Sequence, residues 1–337
     1  MKRFCYPVTN WYLDCLELLA KKMVLLCSSR NAYTGAECVW LLIFPCVPLS
    51  GIIIRMIIMK EGLVLEGGGL RGQYTAGVLD AFLDEGIHFP YIIGVSAGVS
   101  IACSYVSGQR GRNLEIIERF RNDPRYLSLR NLVTKGSLFG MDFIYGEVPH
   151  RLVPFDFKAF AASSTLFVTV CTDCDSGEAR YFGKDGDLLT VLRASASLPF
   201  LSPMVEYDGR RFLDGAIVDA IPVAKAISEG YGRNVIVLTR PQGYRKQEET
   251  GSWASLVYRR YPRLVDALKR RVERYNAAME LTEAKEEAGH ALVIRPSRDL
   301  GVSRTEKSVA KLRELYELGL EDGKAAARKP WMNKQPS

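Results

Sequence analysis

The sequence predicts an α/β fold with a mainly parallel central sheet and a mostly helical C-terminal extension, and three observations carry that expectation. From Met59 onward, short apolar runs alternate with stretches of helical periodicity. Glycine clusters stand directly after two of those runs, at Gly67–Gly69 and around Ser96, where a strand must turn into a helix. Beyond about residue 245 the chain becomes helical in pattern and rich in Arg, Lys and Glu. The expected division is therefore 1–58, 59–240 and 241–337.

Residues 1–58 stand apart, with few charges and Cys5, Cys15, Cys27, Cys38 and Cys46. The apolar run Val39–Ile54 is interrupted by Pro45, Pro48 and Gly51, and it falls short of the roughly 20 residues that span a bilayer. It reads as a dispensable extension, with translation starting at Met56 or Met59, as a membrane-associated segment, or else as a folded part of the domain. The first strand is expected at Leu63–Leu65, followed by glycines and a helix through Val78, Leu79 and Phe82 that Gly86 closes. A second strand, Tyr91–Val95, runs into Gly94-Val-Ser-Ala-Gly98 and a helix through Ile101–Val106. Later strands are expected at Leu166–Cys171, Val205–Leu213 and Val235–Thr239, with helices at Leu188–Ala194 and Val223–Glu229. In the C-terminal region Leu264, Val265, Leu268, Val272, Tyr275 and Met279 share one helical face, leaving Arg263, Arg270 and Arg274 on a wet one. That basic face is either a solvated surface or a peripheral contact with anionic lipid.

Composition excludes several classes. Hydrophobic residues at 47% and charged residues at 25% fit a globular chain, not a disordered or polytopic one. A formal charge of +7 is too small to call for nucleic acid. Only His88, His150 and His290 are available for histidine chemistry. The cysteines form no disulfide framework, so the chain reads as cytoplasmic, with membrane association as the alternative. Cys171-x-x-Cys174 lacks a second ligand pair, and no metal is expected.

Gly94-Val95-Ser96-Ala97-Gly98 matches G-x-S-x-G between a strand and a helix, the setting in which a strained turn lifts a serine hydroxyl into reach of substrate. A plain helix cap is the competing role for Ser96. The run Gly67, Gly68, Gly69, Leu70, Arg71, Gly72 opens a helix, where backbone amides turned to one point can hold an oxyanion or a phosphate. It also satisfies the dinucleotide pattern G-x-G-x-x-G, which leaves a dinucleotide-binding oxidoreductase as a rival. Against that rival, the second strand ends at Ser96 and not at an acidic residue for ribose. A serine nucleophile needs a base. His290 reads as part of a late strand, whereas Asp214, followed by Gly215 and Ala216, sits at a strand-to-loop corner open to close approach.

The ordered trio of glycine loop with Arg71, G-x-S-x-G and Asp-Gly-Ala resembles the patatin-like phospholipases. Arg193-Ala-Ser-Ala-Ser-Leu-Pro199 is similar to a further family segment, and Tyr261-Pro-Arg-Leu and Tyr275-Asn276 are similar to the C-terminal extension of a bacterial subgroup. The resemblance covers roughly residues 59–240, makes that stretch the catalytic domain, and implies a three-layer α/β/α fold with a Ser–Asp dyad. By position it makes Ser96 the nucleophile and Asp214 its base. The oxyanion hole falls to the amides of Gly68, Gly69 and Leu70, with Arg71 a supporting positive group. It implies phospholipid or another acyl-ester lipid as substrate and no cofactor. The alternative kept open is a non-catalytic lipid- or protein-binding module that retains the motifs.

Overall fold

The computed structural model describes residues 60–247 and 253–333; the extension expected over 1–58 lies outside them. Eight strands form one mixed sheet in the order β5-β6-β3-β2-β1-β7-β8, with β4 on the far edge of β3. They are β1 (Glu61–Leu65), β2 (Tyr91–Val95), β3 (Leu166–Asp173), β4 (Ala179–Phe182), β5 (Val205–Tyr207), β6 (Arg210–Asp214), β7 (Arg233–Val237) and β8 (Ala291–Ile294). Neighbours from β3 through β2, β1 and β7 to β8 run parallel, while β4, β5 and β6 pair antiparallel.

Strand residues alternate between two cores, as the period of a pleated strand requires. Leu63, Leu65, Ile92, Val235 and Val237 face one side; Val64, Ile93, Val95 and Ile236 face the other. The first side is covered by α1 (Gln73–Asp84), α2 (Ala97–Val106) and, from the C-terminal region, α11 (Val309–Ala327). The second is covered by α7 (Val223–Ser228) and α10 (Arg271–Glu287), which buries Tyr275 and Met279. Both sheet faces are thus dry, which explains why the central strands are apolar at consecutive positions and not only alternate ones. The architecture is three layers, α/β/α, as expected.

Between β2 and β3 the chain builds a side wall absent from the sequence reading: α3 (Arg112–Phe120), α4 (Leu129–Lys135), a π-helical segment Phe143–Leu152 and α5 (Phe157–Ala162). After β4 comes α6 (Leu188–Ser195), capped by Asp187, whose carboxylate accepts from the Thr190 amide. Near the C-terminal region come α8 (Trp253–Val257) and α9 (Pro262–Lys269), and α12 (Pro330–Asn333) closes the described chain.

Three expectations are corrected. The strand expected over Val205–Leu213 is a hairpin of β5 and β6, because Asp208 and Gly209 both take left-handed conformations (φ 50° and 69°), the pair a tight hairpin turn demands. The shared apolar face from Leu264 to Met279 breaks at Arg270, between α9 and α10. Leu264 and Val265 pack with Leu213 and Ile217, while Tyr275 and Met279 pack on the sheet. Arg263 and Arg270 are exposed, but Arg274 is not on the wet side: it is half-buried, with a guanidinium nitrogen removed from solvent. No helix among the described residues is long and apolar enough to cross a membrane.

Candidate active site

Ser96 follows directly on β2 and caps α2 in a conformation, φ 54° and ψ −125°, that a side chain rarely adopts. The helix starts four residues earlier than the expected Ile101–Val106, leaving the serine on the turn itself. Gly98 makes the turn possible: a Cβ there would stand 2.5 Å from the Glu66 carbonyl oxygen. At Gly94 a Cβ would press on Val99 and Leu65 at 3.1 and 3.2 Å. The Ser96 amide donates to Ser195 Oγ at 2.8 Å, and that hydroxyl donates to the Val170 carbonyl at 2.7 Å, tying the turn to α6 and β3. Ser195 has no role in the sequence reading of the site, although it lies in the Arg193–Pro199 stretch that carried part of the resemblance.

Asp214 arrives through a handover on one edge of β3. Val170 pairs with Val95, the last residue of β2, and the next residue, Cys171, pairs with Asp214, the last residue of β6. Because β4 occupies the opposite edge at both positions, β2 and β6 meet tip to tip on the same side of β3. Ser96 Oγ consequently donates to Asp214 Oδ2 at 2.9 Å across 118 residues of sequence. The Ala216 amide donates to the other carboxylate oxygen at 2.8 Å. Main-chain bonds from Asp214 N–H to the Ser197 carbonyl and from Thr172 Oγ to the Asp214 carbonyl, both 2.8 Å, fix the corner. Gly215 is obligatory there, since a Cβ would meet the Val170 carbonyl oxygen at 2.3 Å.

Asp214 is 2% exposed and Ser96 5%. Burial raises the Asp214 carboxyl to about 6, against the opposing pull of the Ala216 and Ser96 hydrogen bonds and the Arg271 and Arg304 charges. A carboxyl at that value is still largely ionised at neutral pH and is a better proton acceptor than an ordinary aspartate. None of the three histidines replaces it: His88 lies beside Tyr105, His150 stacks on Phe157, and His290 precedes β8.

The glycine loop folds against the serine, with Gly67 so close that a Cβ would lie 3.2 Å from Ser96 Cβ. Its amides are not equivalent. Gly67 donates to Ala220 O at 3.4 Å, Leu70 to Arg304 O at 3.0 Å and Arg71 to Gly68 O at 3.3 Å. Gly72 serves packing, its Cα facing Ile101 and Ala97 of α2. The amides of Gly68 and Gly69 have no acceptor among the described residues.

Two cavities meet at Ser96. One, of about 170 Å³, is walled by apolar side chains including Ile101, Ile117, Tyr126, Ile144, Val148 and Leu192, from α2, α3, the π-helical segment and α6. The other, of about 80 Å³, is lined by Gly67, Gly68, Gly69, Asp214, Tyr244 and Tyr275 together with Arg71, Arg240, Lys246 and Arg304. Neither was legible beforehand, because the walls come from segments with no local signature. The Cys171 and Cys174 thiols are buried in separate apolar clusters, Cys171 with Val191 and Phe212, Cys174 with Leu264.

Comparison with known proteins adds the following. Residues 63–227 match the family model for patatin-like phospholipase, and residues 261–329 match a domain of unknown function (DUF6363). The uncharacterized protein YjjU of Escherichia coli K12 is 27% identical over 77% of this chain and 75% of its own. A lysophospholipase, NTE1, of Coccidioides immitis is 28% identical over 80% of this chain, which spans only 18% of that much longer relative. An NTE family protein of Mycobacterium tuberculosis is 28% identical over 49% of this chain and 45% of its own. A solved structure, VipD from Legionella pneumophila, aligns with 80% of this chain and 66% of its own at 13% identity and a TM-score of 0.41, too loose a likeness to argue from. The segment that carries the glycine loop, Ser96 and Asp214 is thus the one that matches the patatin-like phospholipase family.

Proposed function

We propose that the protein is a serine acyl hydrolase that cleaves lipid acyl esters of the phospholipid or lysophospholipid type. The observation that carries this reading is the 2.9 Å hydrogen bond to a buried Asp214 from the Oγ of Ser96, a residue that also lines an apolar cavity. The lysophospholipase among the relatives supports the substrate class.

In the proposed reaction the acyl chain lies in the apolar cavity, its ester carbonyl beside Ser96. Ser96 Oγ bonds to the carbonyl carbon while its proton passes to Asp214 Oδ2. The oxyanion is held by the Gly68 and Gly69 amides, two loop donors without an acceptor among the described residues. The alcohol of the lipid leaves with the proton from Asp214, giving an acyl-Ser96 ester. Water then attacks that ester, Asp214 takes the water's proton and returns it to Ser96, and the fatty acid departs. Arg71 supports the site as a nearby positive charge.

Hydrolysis of lysophosphatidylcholine and of a short-chain nitrophenyl ester tests the reading. Wild-type protein is expected to turn over both, and Ser96→Ala to lose at least about a thousandfold in kcat/KM. Equal activity of the two proteins would refute it.

A further inference from the structure

The second cavity at Ser96 differs in chemistry from the first. Four cationic side chains, Arg71, Arg240, Lys246 and Arg304, line it, against the carboxylates of Glu66 and Asp214. Glu66 is held by neutral donors: its oxygens accept from the Thr239 amide, the Thr239 hydroxyl and the Tyr275 hydroxyl. Asp214 is engaged by Ser96 and Ala216. The Nε atoms of Arg71 and Arg240 are buried without a hydrogen-bond partner among the described residues, so both guanidiniums are held with part of their donor capacity unmet. Arg240 is further fixed by stacking on Tyr244, 4.5 Å from guanidinium to ring centroid. Burial, followed by the neighbouring Arg240 charge, lowers the Arg71 guanidinium to about 10; Arg304 adds to that repulsion and Glu66 opposes it. Four positive charges therefore converge on a cavity that holds two carboxylates.

Three of the four cationic residues lie outside the segment matched by the phospholipase family. Arg240 and Lys246 follow β7, Tyr275 comes from α10, and Arg304 stands on the loop before α11. The Arg304 carbonyl also receives the Leu70 amide, so this loop is tied to the glycine loop beside the nucleophile.

We propose that this cavity is a phosphate-binding subsite, built by Arg240 and Arg304 with Arg71 and Lys246, that receives the phosphoryl group of an acyl-ester lipid whose chain fills the apolar cavity. The inference rests on the reading of Ser96 as the nucleophile only for the placement of the ester; the subsite itself can bind an anion without turnover. It makes the region after β7 a determinant of headgroup preference. Arginines are suited to the task because their planar forks match phosphate oxygens in pairs.

The test is equilibrium binding to the full-length Ser96→Ala protein, which cannot turn over its ligand. Three probes are titrated calorimetrically: octanoyl-glycerol phosphate, uncharged octanoyl-glycerol and inorganic phosphate. The phosphorylated lipid is expected to bind at least tenfold more tightly than either of the others. Adding Arg240→Gln, or separately the exposed Arg304→Gln, is expected to reduce that advantage at least fivefold, with unchanged circular dichroism. Equal affinity for the two lipids, or an advantage untouched by both substitutions, would overturn the subsite. Inorganic phosphate binding as tightly as the phosphorylated lipid would assign the cavity to a free anion and overturn its headgroup role. Ester hydrolysis by wild-type protein is scored separately, so failure of the catalytic reading and failure of the subsite give different results.

Discussion

Ser96 and Asp214 are each held in a costly state. The serine keeps a left-handed φ of 54°, a strain of about 1–3 kcal/mol that only its surroundings can maintain. The aspartate is a carboxyl withdrawn from water. Its folded value of about 6 lies above the ordinary 3.8, so the folded protein holds a proton that the unfolded chain releases. Stability contributed by this group is therefore full below about pH 4 and is lost as pH rises through 6. Above that range the buried charge costs on the order of 3 kcal/mol. Two outcomes follow for Asp214→Asn. Turnover should disappear, and thermal denaturation at pH 8 should show a raised Tm that converges with wild type near pH 4. In wild type, kcat/KM should rise with pH through about 6, as a base with that value requires. The serine was legible because its turn chemistry is local: two glycines and a strand in five consecutive residues. The partner aspartate was legible as a candidate corner, but not its raised value, which depends on burial by distant segments. Equally illegible was the division of labour in the glycine loop, where Leu70 and Arg71 use their amides internally.

Among the elements, α1 and α11 make the most intimate contact. Gly77 of α1 faces the Tyr316 carbonyl oxygen so closely that a Cβ would approach to 2.0 Å, and Gly319 of α11 faces the Tyr74 carbonyl oxygen at 2.1 Å. Two reciprocal hydrogen bonds clamp the pair, Tyr74 to Asp322 at 2.9 Å and Tyr316 to Asp80 at 2.8 Å. Gly319→Ala must push the helices apart and is expected to destabilise the protein by at least about 3 kcal/mol, measured by urea denaturation. A change below about 0.5 kcal/mol would contradict so close a contact. Periodicity reveals that a helix has an apolar face but not what the face meets, so this pairing was invisible in sequence. The same reasoning explains the misread run from Leu264 to Met279. One helical stripe was assigned to two helices that pack on different clusters, since the break at Arg270 carries no proline or glycine to announce it.

Across the whole molecule, the sheet does the assembling. The edge of β3 passes from β2 to β6 between Val170 and Cys171, and that single step brings two residues 118 positions apart into contact. β2 was recognisable by composition and β6 only as part of a longer strand; their order was not, because pairing between distant strands leaves no local trace. The C-terminal region is integral to this arrangement. β8 pairs with β7, and α11 covers the face that carries Leu63, Leu65, Val235 and Val237. A chain ending at residue 245 would bare that face and is expected to be insoluble or unfolded by circular dichroism; a soluble, cooperatively melting product would show the C-terminal region to be an appendage. The most direct test of the chemistry is intact-protein mass spectrometry after rapid acid quench of the reaction with a nitrophenyl octanoate. Wild-type protein should carry one octanoyl group mapped to Ser96, with none on Ser96→Ala and a greatly slowed yield on Asp214→Asn. An octanoyl adduct that persists on Ser96→Ala, or turnover with the acyl group mapped to another side chain, would contradict the proposed dyad.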